Sequence, residues 1–482
     1  MVTRTEKRFG IGLAAMALTV GSLLLVDITG GLSAAKADAG TSLTEPIPPR
    51  DESLRPRSVH GWLGWKHAKA RMQADMPTGR GIAVGQVEGN AQSGYIGNTN
   101  DRALPGTGFV PESGKSEKVS GHATAVAKHI AGPNGAGQGV RAIHAWAVQH
   151  WMGKGYLNAD SSDDPRSDHP ARVFNHSWIA PNAPNAPLIL RRVDYAIDTN
   201  DILVVVGVDN KPGRIPDLLA SAYNTISVGT PSTDSSDALT TTEGEGRSKP
   251  EIVAPGSLTS WTTGVVTGVC AALLEYADRL AEADAKNKDA AKSEVIKAVL
   301  LAGARRPDRW TQLEGEPLDR KLGAGVVEID RSLVILDGGH VAPDQEMDQR
   351  YGWSFATIDP GKVRTYTFTV DVAQGQAGIA LVWHRRVRGG KANAVIRETG
   401  EQREIWNPST FVPNLNLGLI RADADGTETL IAASTSKVDN VELIHLPTLE
   451  PGEYKLRIAR QNDDTAMAWD YAVAWRIEAK AK

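Results

Sequence analysis

The sequence predicts an α/β domain built on a parallel sheet, followed by a separate all-β domain. Three observations predict it. Between about Ser58 and Leu336, short apolar runs alternate with helical patterns. One of these runs, Ile202–Val208, is almost continuously apolar, as a strand covered on both faces of a sheet must be. Beyond Gly338 the pattern changes to period two, with turn residues between the runs.

Bulk properties agree. A chain of 482 residues is too long for one ordinary domain. Its 41% hydrophobic and 23% charged residues are those of a folded globular protein. A net charge of −4 argues against nucleic acid or an anionic membrane surface as partner. Cys270 is the single cysteine, which excludes an intrachain disulfide and any cysteine-based metal site.

Taken in order, Arg4, Lys7 and Arg8 precede an apolar run from Phe9 to Val26, and Ala35-Lys36-Ala37-Asp38-Ala39 follows. This is the pattern of a secretory signal, so residues 1–39 are expected to be a signal peptide and the chain to be extracytoplasmic, secreted or periplasmic. An uncleaved N-terminal anchor is the alternative; after cleavage no stable membrane span is expected. Residues 40–57, with Glu45-Pro46-Ile47-Pro48-Pro49-Arg50, are expected to be a linker, too short for a folding-assistant propeptide.

Residues 58–338 form the expected α/β domain. Strands are expected at Ile82–Val87, Arg172–Phe174, Ile202–Val208 and Thr225–Val228, and helices at Leu188–Asp198 and Ser293–Ala302. Thr259–Leu274 is apolar on almost every face after its first turn, the mark of a helix in the middle of a core. Residues 339–482 form the expected β-sandwich. There Tyr366, Phe368 and Val370 alternate with threonines, and Trp469, Tyr471, Val473, Trp475 and Ile477 alternate with smaller or polar residues. Asp359-Pro360-Gly361, Asp425-Gly426 and Pro451-Gly452 mark turns.

Open parallel sheets collect ligands at the carboxyl ends of their strands. Glu88 follows the first strand, Asn210 follows the Ile202–Val208 strand, and His122 opens a helical stretch. Ser260 stands at the start of the apolar helix, beside backbone N–H groups and the positive end of the helix dipole. A hydroxyl, an imidazole and a carboxylate are the three groups that nucleophilic acyl transfer requires.

The ordered motifs resemble those of the subtilisin-like serine proteases, the subtilases. Thr78-Gly79-Arg80-Gly81-Ile82-Ala83-Val84 is similar to the approach to the family's aspartate strand. His122, Thr124, Val126, Ala127, Ala131 and Gly132 match its histidine helix, and Phe174-Asn175-His176-Ser177-Trp178 its substrate strand. Val204–Asn210 resembles the oxyanion strand, Thr259-Ser260 the nucleophile, and Leu322–Val327 the end of the domain. The resemblance spans roughly Ser58 to Leu336 and implies a subtilisin-like fold.

Residue by residue, the resemblance implies a Glu88–His122–Ser260 triad, an oxyanion hole from Asn210 and the Ser260 N–H, and substrate contacts from Ser177 and Trp178. The function implied is a serine endopeptidase acting through an acyl-enzyme on protein or peptide substrates. Several residues depart from the pattern. Glu88 is one methylene longer than aspartate, Leu258 replaces the glycine before the nucleophile, Gly264 replaces a proline, Ile179 replaces a glycine and Asp209 precedes Asn210. Only Ser257 and Leu258 join Ala254-Pro255-Gly256 to Thr259-Ser260. These departures define a second reading, a catalytically inactive subtilase fold that binds peptides or surfaces.

No cofactor is expected and no residue set is read as a metal site. The acidic stretch Asn158–Asp164 is read as a solvated loop, with structural calcium as its alternative, as some subtilases bind calcium. His384-Arg385-Arg386-Val387-Arg388 is read as a charged loop or strand edge. With Asn414-Leu415-Asn416-Leu417-Gly418-Leu419, Asp439-Asn440-Val441-Glu442 and Leu449-Glu450-Pro451-Gly452-Glu453-Tyr454, the C-terminal region resembles β-sandwich appendages of bacterial secreted proteases and is expected to dock on or stabilise the peptidase domain. Trp353, Trp383 and Trp406 are read as core packing, with carbohydrate binding as the alternative.

Overall fold

The computed structural model describes residues 58–479, except 90–93, 238–240, 245, 348–349, 371–373, 396–400, 424 and 464. The expected signal peptide and linker therefore lie outside the described residues. Among the described residues no helix is long and apolar enough to cross a membrane.

The first half is a seven-stranded parallel sheet flanked by helices. In chain order it runs α1 (Val59–Trp62), α2 (Trp65–Met72), β1 (Val84–Glu88), β2 (Gly108–Pro111), α3 (Gly121–Ala131), β3 (Ala142–Ala147) and α4 (Val148–His150). Then come β4 (Val173–His176), α5 (Ala186–Asn200), β5 (Leu203–Gly207), β6 (Ile226–Gly229), β7 (Ile252–Val253), α6 (Thr259–Ala283), α7 (Ser293–Gly303) and α8 (Ile329–Asp337). The sheet order is β2-β3-β1-β4-β5-β6-β7. β5 is buried at every position, which is why its sequence shows no alternation.

Helix α6 crosses behind the sheet and is buried from Thr262 to Leu274. Its glycines set how closely it approaches α3. A Cβ on Gly264 would stand 2.9 Å from His129 Cβ and 3.0 Å from the Val126 carbonyl; one on Gly268 would stand 2.6 Å from the Ile130 carbonyl. The glycine in the family's proline position is therefore a packing requirement of this pair of helices.

The second half contains β8 (Tyr351–Ile358), β9 (Val363–Val370), β10 (Gln374–Val382), β11 (Arg386–Arg388), β12 (Lys391–Val395) and β13 (Gln402–Trp406). It continues with β14 (Ser409–Phe411), β15 (Leu415–Ala422), β16 (Glu428–Ser434), β17 (Val441–Leu446), β18 (Gly452–Arg460) and β19 (Trp469–Ala479). Two four-stranded antiparallel sheets, β17-β10-β19-β8 and β16-β15-β18-β9, enclose a core. Trp353 and Trp383 are fully buried and Trp406 is 3% exposed, so all three pack.

The period-two pattern of β10 and β19 serves two cores at once. Ile379, Leu381, Tyr471 and Val473 face the interior of the sandwich. Ala380, Val382, Ala472 and Ala474 join the core of the α/β half, where the sheet meets α7. Small residues on that face let the helix lie close: a Cβ on Gly378 would stand 2.8 Å from the Ala302 carbonyl.

Candidate active site

Glu88 is the last residue of β1, one position further into the strand than the sequence suggests, and is 4% exposed. Its Oε2 lies 2.8 Å from His122 Nδ1. Gln86, two residues earlier on the same face of the strand, donates Nε2–H to Glu88 Oε1 at 3.1 Å and to the Ala123 carbonyl at 2.9 Å. That carbonyl belongs to the first turn of α3, so one amide fixes the carboxylate against the helix bearing His122. Sequence reasoning missed Gln86; its signal is the i, i+2 spacing to Glu88.

His122 occupies the second position of α3, whose N-terminus is capped by Ser120 Oγ accepting from the Ala123 N–H at 3.0 Å. The hydrogen bond to Glu88 raises the His122 pKa above the ordinary imidazole value, outweighing the opposing effect of partial burial. The ring of Trp261 lies 5.5 Å from that of His122 and stacks at 5.3 Å on His129, joining the first turn of α6 to α3.

Ser260 is the second residue of α6 and half-buried. Its Oγ donates to the Ser177 carbonyl at 3.4 Å, while Ser177 Oγ lies 3.0 Å from the Ser260 carbonyl and 2.9 Å from Asn175 Oδ1. Among the described residues no hydrogen bond joins His122 to Ser260, and none engages the Ser260 N–H. The structure thus brings together Glu88 with His122, and Ser260 with Ser177.

Leu258, at the N-cap of α6, has no side chain able to cap, and Asn210, three residues beyond β5, takes that role. Its Oδ1 accepts from the Thr259 N–H at 2.7 Å and from Thr259 Oγ1 at 3.1 Å. Trp178 donates its indole N–H to His176 Nδ1 at 3.2 Å, and its Cβ sits where a side chain on Gly89 would stand, 2.8 Å away. Full burial lowers the His176 pKa to about 3, so this imidazole stays neutral. Leu258 itself is 40% exposed.

The acidic loop at 158–164 is organised around a guanidinium. Arg192 donates to the carbonyls of Leu157, Ser161 and Asp163 at 2.6–2.8 Å and lies over the Trp406 ring, whose N–H reaches Asp164 Oδ1 at 2.7 Å. Carbonyls of the kind that would coordinate calcium are thereby spent on a side chain. Glu112, His144 and His169 also gather, but the Ala171 N–H donates to His169 Nδ1 at 3.1 Å. The proton of the neutral ring then sits on Nε2, the nitrogen facing Glu112, which cannot ligate a metal in that tautomer.

Residues 97–325 match the family described as the Subtilase family, Peptidase_S8. No curated protein matches. Similar solved structures include the patellamide maturation protease PatA, 19% identical over 54% of this chain and 98% of that one, with a TM-score of 0.38. The patellamide maturation protease PatG is 14% identical over 59% and 99%, with a TM-score of 0.40. MycP1 from Mycobacterium smegmatis is 16% identical over 60% and 87%, with a TM-score of 0.36. The family match across residues 97–325 falls on the seven-stranded parallel sheet and its flanking helices, a subtilisin-like α/β fold, and an antiparallel β-sandwich follows it.

Proposed function

We propose that this chain is a serine endopeptidase of the subtilase type, with Ser260 as nucleophile, His122 as general base and Glu88 as the carboxylate that orients it. The observation that carries the reading is the 2.8 Å contact between Glu88 Oε2 and His122 Nδ1. It commits Nδ1 to the N–H form and leaves Nε2 as the basic nitrogen, the division of roles a triad needs. Ser260 Oγ attacks the scissile carbonyl carbon and gives its proton to Nε2. The oxyanion is met by the Ser260 N–H and by Asn210 Nδ2, whose amide oxygen is already committed to Thr259. Collapse passes the proton from Nε2 to the departing amine and leaves an acyl ester on Ser260, which water cleaves by the reverse sequence.

The bond from Ser260 Oγ to the Ser177 carbonyl is long at 3.4 Å, and one rotation about the Ser260 side chain releases it. Ser177 and Trp178, beyond the end of β4, contact the substrate, which adds as an extended strand. Residues 1–39 act as a signal peptide and place the enzyme outside the cytoplasm. A fluorophosphonate probe tests the nucleophile: the wild type is labelled and Ser260→Ala is not. Folded wild type that resists labelling would leave the peptide-binding reading in its place.

A further inference from the structure

The sequence of residues 384–388 suggests a charged loop or strand edge, and Arg386–Arg388 is strand β11, yet His384 is 3% exposed, between the sandwich and the helices of the α/β domain. Its Nδ1 lies 3.4 Å from Asp198 Oδ1, on α5, and 3.2 Å from Glu294 Oε1, in the first turn of α7. Neither oxygen lies in line with an N–H, so this buried nitrogen makes no hydrogen bond and points between the two carboxylates. A buried nitrogen that faces two carboxylate oxygens by charge yet is hydrogen-bonded to neither has the arrangement of ligands around a shared ion.

We propose that Asp198, Glu294 and His384 form a binding site for one divalent transition-metal ion of the zinc class, joining the sandwich to the peptidase domain. The spacing fits. Ligand atoms about 2.0–2.2 Å from a four-coordinate ion stand about 3.3–3.6 Å apart. The two distances from His384 match within roughly 0.1 Å, and all three ligand atoms lie within 4.8 Å of one another. The charge fits too, since two carboxylates balance a divalent ion bound in place of the imidazole's proton. One nitrogen and two carboxylate oxygens suit zinc or its neighbours better than calcium, which takes six to eight oxygens.

The ligands are held in place. Ser293 Oγ, 2.9 Å from Asp201 Oδ1, lies 3.3 Å from Glu294 Oε2, and Glu294 Oε1 is the oxygen that faces His384. The backbone at His384 is fixed by the Trp469 indole N–H on its carbonyl at 3.0 Å. The next residue is clamped by Asn224, which accepts from the Arg385 N–H at 2.8 Å and donates to the Arg385 carbonyl at 2.9 Å. Asp198 is 23% exposed, which gives an ion and its fourth ligand, a water, a route from solvent.

The test uses the full chain stripped of metal with a chelator, titrated with Zn²⁺ by calorimetry and with Co²⁺ by visible absorption. Expected are one equivalent of bound metal, the spectrum of four-coordinate cobalt, and a Tm that rises with zinc concentration. His384→Gln and Asp198→Asn should each weaken binding at least tenfold, whereas Glu112→Gln should leave it unchanged. Asp198 is partly exposed, so its variant keeps the test valid if His384→Gln does not fold. No uptake, uptake unaffected by Asp198→Asn, or loss of uptake in Glu112→Gln would overturn the proposal and leave an imidazolium ion-paired to two carboxylates.

Discussion

Asn210 caps a helix to which it does not belong: its Oδ1 accepts both the Thr259 N–H and the Thr259 hydroxyl at the start of α6. The same amide is the proposed oxyanion donor, so stability and catalysis meet in one side chain and can be separated by substitution. Asn210→Ala should lose the cap, about 1 kcal/mol of stability, and the donor, about 10²–10³ in kcat. Asn210→Asp keeps an acceptor for Thr259 but sets a carboxylate where the oxyanion forms. It should retain the denaturation midpoint and lose at least as much kcat. Equal losses of stability in both variants would show that the cap contributes nothing.

The Glu88–His122 pair makes a kinetic prediction. Glu88→Gln keeps the size of the side chain but no longer holds the imidazole with a charge, and kcat should fall by about 10³–10⁴ with little change in KM. Glu88→Asp withdraws the carboxylate by one carbon–carbon step, about 1.5 Å, and breaks the 2.8 Å contact unless the backbone follows. It should be impaired as well, although it restores the usual residue of the family. An aspartate variant faster than wild type would show that this backbone is not set for glutamate.

The raised pKa of His122 fixes the sign of two pH effects. Activity requires the neutral ring, so the acid limb of kcat/KM should lie at higher pH than for an ordinary imidazole, and Glu88→Gln should move it lower. For stability, a raised folded pKa gives a contribution fully present below the unfolded value, about 6.5, and lost as pH rises through the folded value. Glu88→Gln should therefore be more destabilising near about pH 6 than near about pH 9. Denaturant midpoints at the two pH values check this; an equal loss would show that the pair stabilises through neutral hydrogen bonding alone.

The close crossing of α3 and α6 supports a prediction about packing. Gly268→Ala would drive a methyl into the Ile130 carbonyl at 2.6 Å and the Gly137 nitrogen at 3.0 Å, both backbone atoms. The expected cost is about 1–3 kcal/mol, larger than the gain in helix propensity of about 1 kcal/mol from replacing glycine. Because α6 carries Ser260, kcat should fall along with the denaturation midpoint. An unchanged midpoint would mean that the helices separate freely.

Much of this site is visible in the linear sequence because its parts are local. Ser260 at the head of an apolar helix, Asn210 at the end of a buried strand and His122 at the start of a helix are each set by a few neighbouring residues. Glu88 needed only the strand before it. What escaped is non-local. Gln86 acts by bridging β1 to the first turn of α3, and Asn210 caps a helix 49 residues away. Arg192 fills a loop whose acidic composition suggests an ion. His384 and Arg385 look like solvated charges because the helices that bury them lie in the other half of the chain. Period-two alternation in β19 implies one wet face, but α7 covers that face.

Arg385 is the sharpest test of that covered interface. It is 3% exposed and pairs with Asp194, which has no exposed side-chain surface, and with Glu243. Asp194 also accepts from the N–H groups of Tyr223 and Asn224, at 3.2 and 2.8 Å, so its carboxylate cannot turn to solvent when its partner is removed. Breaking a buried pair from one side leaves an uncompensated charge and costs about 3–5 kcal/mol. Arg385→Ala should lose that much in urea unfolding. The Arg385→Ala, Asp194→Asn double variant should recover part of it, because the amide carries no charge and its oxygen can still accept one of the two backbone N–H groups. If the two halves share one cooperative unit through this pair, both variants unfold in a single transition at a lower midpoint. A first transition confined to the sandwich, with the peptidase half unfolding at the wild-type midpoint, would show instead that Arg385 stabilises only the seam between them.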